Sequence, residues 1–301
     1  MTTPAVALGK FDALHLGHRA LAEHGGRAAA AVSLLSFTGM AEILGWEPRQ
    51  PLVAGGDRAR IVRSWQDALG CPIVERSLPF NLVRELTGES FLRLLQARLA
   101  TEVVVVGEDF RGGRDRSVGV VELAGLCTAR GMRLVVVPPV LVGGRTVSSS
   151  GLREALGRGD MAGLMQGLGR PYRLLGTVLR GDGRGRSLGV PTANCGARQN
   201  QDPAPGVYAG FALIAAGRFP AAINVGRQPT VGENRPLAVE AHLLGYQGDC
   251  YDQPLALDLI GRLRPEQRFG SLAELTAQIH DDIRRTRQVT AAHDVSGAAA
   301  G

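Results

Sequence analysis

Aromatic residues are scarce in this chain, at 5% of 301 positions, which leaves few platforms on which the bases of a nucleic acid could stack. Cysteine is scarcer still. Cys71, Cys127, Cys195 and Cys250 lie far apart with no C-x-x-C pair, which argues against a disulfide framework and against a cysteine zinc site. Lysine is confined to Lys10, and the other basic residues among the 34 are all arginine. Arginine suits bidentate contacts with phosphate, although a codon bias accounts for the ratio more simply. No apolar run approaches the roughly 18 residues that a spanning helix needs. The N-terminus also lacks the basic-then-apolar pattern of a signal peptide. These absences predict a soluble, cytoplasmic protein.

What is present points to two packed domains. Apolar residues make up 45% and charged residues 21%, enough for a sizeable core, and the length suits two domains of ordinary size. The net charge of +6 favours anionic partners without fixing a fold. An ATP-sized polyanion satisfies it as well as RNA does, and an RNA-binding role rests on charge alone.

The first half alternates apolar strands with amphipathic helices. Strands are expected at 5–8, 31–37, 102–107 and 133–138, and helices at 17–30, 57–69, 88–100 and 118–130. Continuous apolar strands between helices indicate a parallel sheet covered on both faces, a Rossmann-like α/β arrangement. After about residue 168 the chain changes to short apolar runs separated by Gly, Pro and Asn, at 170–181, 206–216, 219–226, 237–245 and 255–264. That spacing predicts an antiparallel β domain, a barrel or a sandwich. A final helix over 271–288 shows Leu272, Leu275 and Ile279 on one face. The expected division is 1–168, 169–288 and a disordered tail at 289–301.

Two stretches carry chemistry. In GKFDALHLGH, residues 9–18, a strand runs through glycine into the start of a helix. The free N–H groups of such a helix start attract phosphate. Gly17 permits close backbone approach, and the His15 and His18 rings can donate to phosphate oxygens as charge develops. A pair of surface histidines, or half of a zinc site, fits the same spacing. In RGDGRGRSLGVPTANCG, residues 180–196, the glycine spacing does not fit a dinucleotide fingerprint. It suits a mobile flap, with Gly183 and Gly185 supplying freedom and Arg184 and Arg186 supplying charge. Pro191 directs the chain, and Thr192 and Asn194 offer hard oxygen donors suited to Mg²⁺ and its nucleotide.

The first string resembles the HxGH signature of nucleotidylyltransferases and, more narrowly, the opening of bacterial bifunctional riboflavin kinase/FMN adenylyltransferases. VVVVGEDFRGG (103–113), TVSSSGLREAL (146–156) and GDMAGLMQGLGRPY (159–172) are similar to that family in the same order. So are GRGRSLGVPTAN, PGVYAG, INVGRQPT, VEAHLL and RLRPEQRFGSLAELTAQIHDDI in the second half. The resemblance implies a nucleotidylyltransferase α/β domain followed by a riboflavin kinase β-barrel with a C-terminal helix. It implies conversion of riboflavin to FMN and of FMN to FAD with Mg²⁺-ATP, and no nucleic-acid or membrane partner.

The same resemblance assigns Gly9, Phe11, Asp12, His15, Gly17, His18, Ser148, Ser149 and Arg153 to ATP in the first domain, with Asp109 on the flavin side. It assigns Glu240 as the base on the riboflavin hydroxyl, beside Thr192, Asn194 and the Gly183–Arg186 flap. His242 is then a supporting residue, and Arg262 and Arg264 are surface or domain contacts. The chain departs from the family at SFTGM (36–40), where a proline–histidine element is usual, at Ala13 and Leu14, and at Gly112. The alternative that these departures leave is a kinase whose first domain is only a scaffold or ligand sensor.

Overall fold

The computed structural model describes residues 3–181, 185, 189–226 and 237–298 of the chain. These fall into two units, Met1–Arg49 with Asp57–Ser148 and Gln50–Gly56 with Ser149–Gly301.

In the first unit, strands β1 (Ala5–Leu8), β2 (Val32–Thr38), β3 (Ile73–Pro79), β4 (Val103–Gly107) and β5 (Arg133–Val137) form one sheet in the order β3-β2-β1-β4-β5. Every pair in it is parallel. Helices α1 (Leu16–Ala28), α2 (Met40–Leu44), α3 (Gly55–Leu69), α4 (Gly88–Leu99) and α5 (Val120–Ala129) lie between the strands in sequence.

The side-chain period of two sorts the strand residues between faces. Val6, Leu8, Val104 and Val106 join Leu92 and Leu95 of α4 and Leu123 and Cys127 of α5 in one buried cluster. Ala5 and Val32 instead meet α1, where a Cβ on Gly25 would stand 3.5 Å from Ala5 and 3.1 Å from Val32. Small residues on that face let the helix come close. The sequence anticipates β1, β2, β4 and β5 but not β3 or the short α2. β3 is a half-exposed edge strand whose Glu75 and Arg76 interrupt any apolar run.

The continuous part of the second unit opens with two helices, α6 (Ser149–Arg158) and α7 (Met161–Leu168). Preceding them, in the first unit, is the small hairpin of β6 (Leu141–Val142) and β7 (Arg145–Thr146). Strands β8 (Tyr172–Leu179), β9 (Ala193–Gly196), β10 (Gly206–Ile214), β11 (Gly217–Gly226), β12 (Ala238–Leu243) and β13 (Pro254–Arg264) close into a barrel in the order β10-β11-β12-β9-β8-β13. All its ladders are antiparallel. Closure removes the exposed edges that an open sheet would present, and Tyr208, Phe211, Ile223 and Leu257 fill the unit's core. Asn200 ties the 50–56 segment to it, donating from Nδ2 to the carbonyls of Leu52 and Arg173 while its Oδ1 accepts from the Leu175 N–H.

Helix α8 (Leu272–Ala298) packs on β10, β11 and β13. The stretch expected as a disordered tail from residue 289 is therefore corrected, because the helix continues to Ala298. Its small, polar sequence hides the docking. Thr290 is buried and its hydroxyl donates to the Thr286 carbonyl. Asp294 pairs with Arg218 at 2.9 Å, and the His293 ring lies 6.1 Å from that of Phe211. Helices α6 and α7, which the sequence reading grouped with the first domain, belong to the barrel unit by packing. Among the described residues, no helix is long and apolar enough to cross a membrane.

Candidate functional sites

The strand order of the first unit places β1 between β2 and β4, the point at which the winding of the sheet reverses. Ligands of such sheets bind beyond the carboxyl ends of the strands at that point. GKFDALHLGH leaves the end of β1 there, and Glu108–Asp109 leaves the end of β4 beside it.

The backbone of this turn is unusual. Phe11 has φ 48° and Leu14 φ 45°, both left-handed without being glycine, and both side chains are buried. A conformation of that kind costs free energy and persists where its surroundings hold it. Here it delivers His15 to the cap of α1, where the His18 backbone N–H donates to His15 Nδ1 at 3.3 Å. That nitrogen therefore carries no proton, and any proton on the ring sits on Nε2.

The His15 and His18 rings stack with centroids 3.7 Å apart and planes 15° apart, and Phe11 lies 4.9 Å from His18. A Cβ on Gly17 would stand 3.0 Å from the His15 ring and 3.7 Å from the Val147 carbonyl. The close approach that Gly17 permits is thus that of the His15 ring, with the chain leading into Ser148 just beyond. Gly9 donates its N–H to the Leu35 carbonyl. Asp109 is exposed, with its carboxylate folded over Gly107.

Sequence reasoning passed over the surroundings of Lys10. Its ammonium sits 4.3 Å over the ring of Trp46, a favourable cation–π geometry. Burial lowers the Lys10 pKa, the charge of Arg116 lowers it further, and Asp12 opposes both. Where the resemblance leads one to expect the proline–histidine element, Gly39 opens α2 instead. Ser149 and Arg153 stand at the start of α6, in the second unit. There the Arg153 guanidinium donates to the Gln50 carbonyl at 2.8 Å and to the Gln201 side chain.

The second candidate site lies on the outer face of the barrel. Ladder register sets Glu240 of β12 opposite Asn194 of β9 on one side and opposite Asn224 of β11 on the other. Residues opposite one another share a face. Their neighbours Ala193, Val239, Ala241, Ile223 and Val225 point into the core. Thr192, Asn224, Glu240 and His242 line a cavity of about 380 Å³, walled on its far side by Leu275, Ile279 and Ile283 of α8.

That apolar stripe runs i, i+4, i+8, one step along from the sequence expectation, and Leu272 is exposed. Gly185 also lines the cavity, whereas Gly183, Arg184 and Arg186 lie outside the described residues. Asn194 is not on the cavity wall. A Cβ on Gly181 would fall 2.1 Å from its amide nitrogen, so the absence of a side chain there lets the chain pass directly over Asn194.

No described residue hydrogen-bonds or ion-pairs with the half-buried Glu240 carboxylate. A partly desolvated carboxylate between two amides and facing a cavity is suited to accept a proton from a bound alcohol. Arg264, expected as a surface or domain contact, also lines this cavity and pairs bidentately with Asp282, Nε and Nη2 lying 2.8–3.1 Å from its carboxylate. Their side chains are 14% and 6% exposed. Asp282→Ala is expected to lower stability by about 3–5 kcal/mol, because it strands a buried guanidinium. An unchanged urea midpoint in the full chain would contradict this.

Among the described residues, no three His, Cys, Asp or Glu side chains gather into a metal-binding group. The four cysteines are free thiols, and burial pushes Cys127 up to about 11 and Cys195 up to about 12, so both stay protonated and unreactive at neutral pH.

Residues 168–290 match the family model described as riboflavin kinase, and residues 76–151 the model described as FAD synthetase. The bifunctional riboflavin kinase/FMN adenylyltransferase of Pseudomonas fluorescens is 33% identical over 289 residues, covering 94% of this chain and 92% of that protein. The protein of the same name from Escherichia coli K12 is 32% identical over 301 residues, covering 94% and 91%. A solved structure described as a macrolide-efflux protein from Streptococcus pneumoniae has a TM-score of 0.83 at 24% identity. It covers 94% of this chain and 93% of that one, a likeness of fold alone.

Proposed function

This chain belongs to the bifunctional riboflavin kinase/FMN adenylyltransferase family, and we infer from that membership that it makes FMN from riboflavin and FAD from FMN, consuming ATP in both steps. The observation that carries the kinase assignment is Glu240, unpartnered among the described residues and set in register between Asn194 and Asn224 beside an apolar cavity.

In the kinase step the apolar wall of Leu275, Ile279 and Ile283 takes the flavin rings. Glu240 accepts the proton of the terminal ribityl hydroxyl. That oxygen bonds to the γ-phosphorus of ATP as the bond from phosphorus to the departing ADP oxygen breaks. Thr192 and Asn194 hold the nucleotide side, and the Gly183–Arg186 flap closes over the phosphates. An uncharged pair of hard oxygen donors, without a carboxylate cluster, fits Mg²⁺ that arrives on ATP phosphates and keeps much of its own water. Bound there, Mg²⁺ supplies charge neutralisation to the transferring phosphoryl group.

In the adenylyl step an oxygen of the FMN phosphate attacks the α-phosphorus of ATP and pyrophosphate leaves, without a covalent enzyme intermediate. His15 and His18, at the start of α1, stabilise the charge that develops. Gly9, Phe11, Asp12, Gly17, Ser148, Ser149 and Arg153 hold ATP, and Asp109 contacts the flavin. The two activities divide at about residues 168/169, and the enzyme works in the cytoplasm without nucleic-acid or membrane partners.

The test is turnover of riboflavin with Mg²⁺-ATP by the full chain, with FMN and FAD separated by chromatography. Both products are expected. FMN alone would reduce the first domain to a scaffold or sensor, and neither product from folded protein would overturn the reading.

A further inference from the structure

We propose that His242 is a positioning residue of the kinase step: its ring holds the Pro191 carbonyl and thereby sets the Thr192 hydroxyl at the cavity. This rests on the kinase reading above. The ladder between β12 and β9 contains only two pairs, Glu240 with Asn194 and Ala241 with Ala193. Continued by one residue, it would set His242 opposite Thr192. It stops there, and Pro191, next along the chain, has no N–H with which to continue it.

The His242 side chain takes over where the backbone pairing ends. Nδ1 lies 2.8 Å from the Pro191 oxygen, across 51 residues of sequence. A carbonyl oxygen only accepts, so Nδ1 carries the proton in this contact. Glu240 and His242 lie two residues apart on β12 and so share its outer face. Both line the cavity, as does Thr192. One strand thus carries the base and, two residues on, the clamp on the segment that presents the nucleotide-side hydroxyl. The separation between base and nucleotide is held by a side-chain bond at a point where sheet pairing does not reach.

The experiment compares His242→Asn, His242→Ala and His242→Leu with wild type in the full chain. The Asn amide nitrogen is as many bonds from Cα as His Nδ1, so Asn can still donate to Pro191. Leu keeps bulk but has no donor. Ala and Leu are both expected to raise the KM for ATP in FMN formation about tenfold, the scale of one lost hydrogen bond, with the KM for riboflavin little changed. Asn is expected to restore most of the loss.

Wild-type ATP KM in Ala and Leu, or an Asn variant no better than Leu, would overturn the proposal. If Ala and Leu do not fold, Asn decides alone, and an ATP KM more than about tenfold above wild type would overturn it. Thr192→Ala is assayed in parallel. No change in its ATP KM sinks the kinase-site reading and the proposal with it. A raised value there, with Ala and Leu at position 242 unchanged, sinks the positioning role alone.

Discussion

Glu240→Gln is expected to slow FMN formation from riboflavin by about 10²–10⁴-fold, the range that a positioned general base contributes. The substitution keeps the shape of the side chain and its place opposite Asn194 and Asn224 but removes the ability to accept a proton. Folding is not expected to suffer, because Glu240 is half-buried and no described residue pairs with it. FAD formation from supplied FMN should continue at the wild-type rate, which makes each activity a control for the other. A Gln variant that phosphorylates riboflavin within a factor of a few of wild type would show that the ribityl proton leaves by another route.

The second large effect is expected at His18. His18→Ala should lower FAD formation from FMN by about 10²–10³-fold, the loss typical when one donor to a developing oxyanion is removed. The backbone N–H of residue 18 still reaches His15 Nδ1 in the variant, so the cap of α1 survives. What disappears is the ring stacked 3.7 Å from His15 and packed on Phe11. Riboflavin should then be converted to FMN and no further. Undiminished FAD formation by this variant would remove His18 from the chemistry and leave it as packing.

Much of this arrangement was legible in the sequence, and the part that was not has a physical reason. Strands such as Val103–Gly107 announce themselves because both faces are buried, so every residue is apolar. Edge strand β3 carries Glu75, Arg76 and Ser77 and gives no such signal. Barrel closure is invisible for another reason, since β8 pairs with β13 across about 80 residues and local pattern does not encode partners at that range.

The motif residues Thr192 and Asn194 stand out by spacing, but that only Thr192 lines the cavity depends on Gly181, whose backbone passes over the Asn194 side chain from outside the motif. The bond from His242 to Pro191 and the pair of Arg264 with Asp282 join residues that no window along the chain would compare. The stretch of α8 after residue 288 gives no signal in the sequence because its contacts are with Arg218 and Phe211 of the barrel, while its own composition resembles a linker.

The alternation on the barrel wall has a consequence for how this enzyme can change. On β9, β11 and β12 the even-numbered positions, Asn194, Asn224, Glu240 and His242, face outward. The odd-numbered ones, Ala193, Ile223, Val225, Val239 and Ala241, make the core. Substitution at an even position can therefore retune the substrate without disturbing the interior. Deleting one residue within any of these strands does the opposite, because it exchanges the two sets at a stroke and puts carboxylate and amide groups into the oil. Descendants of this chain can change single residues of these strands one face at a time, but a change in strand length alters both faces together.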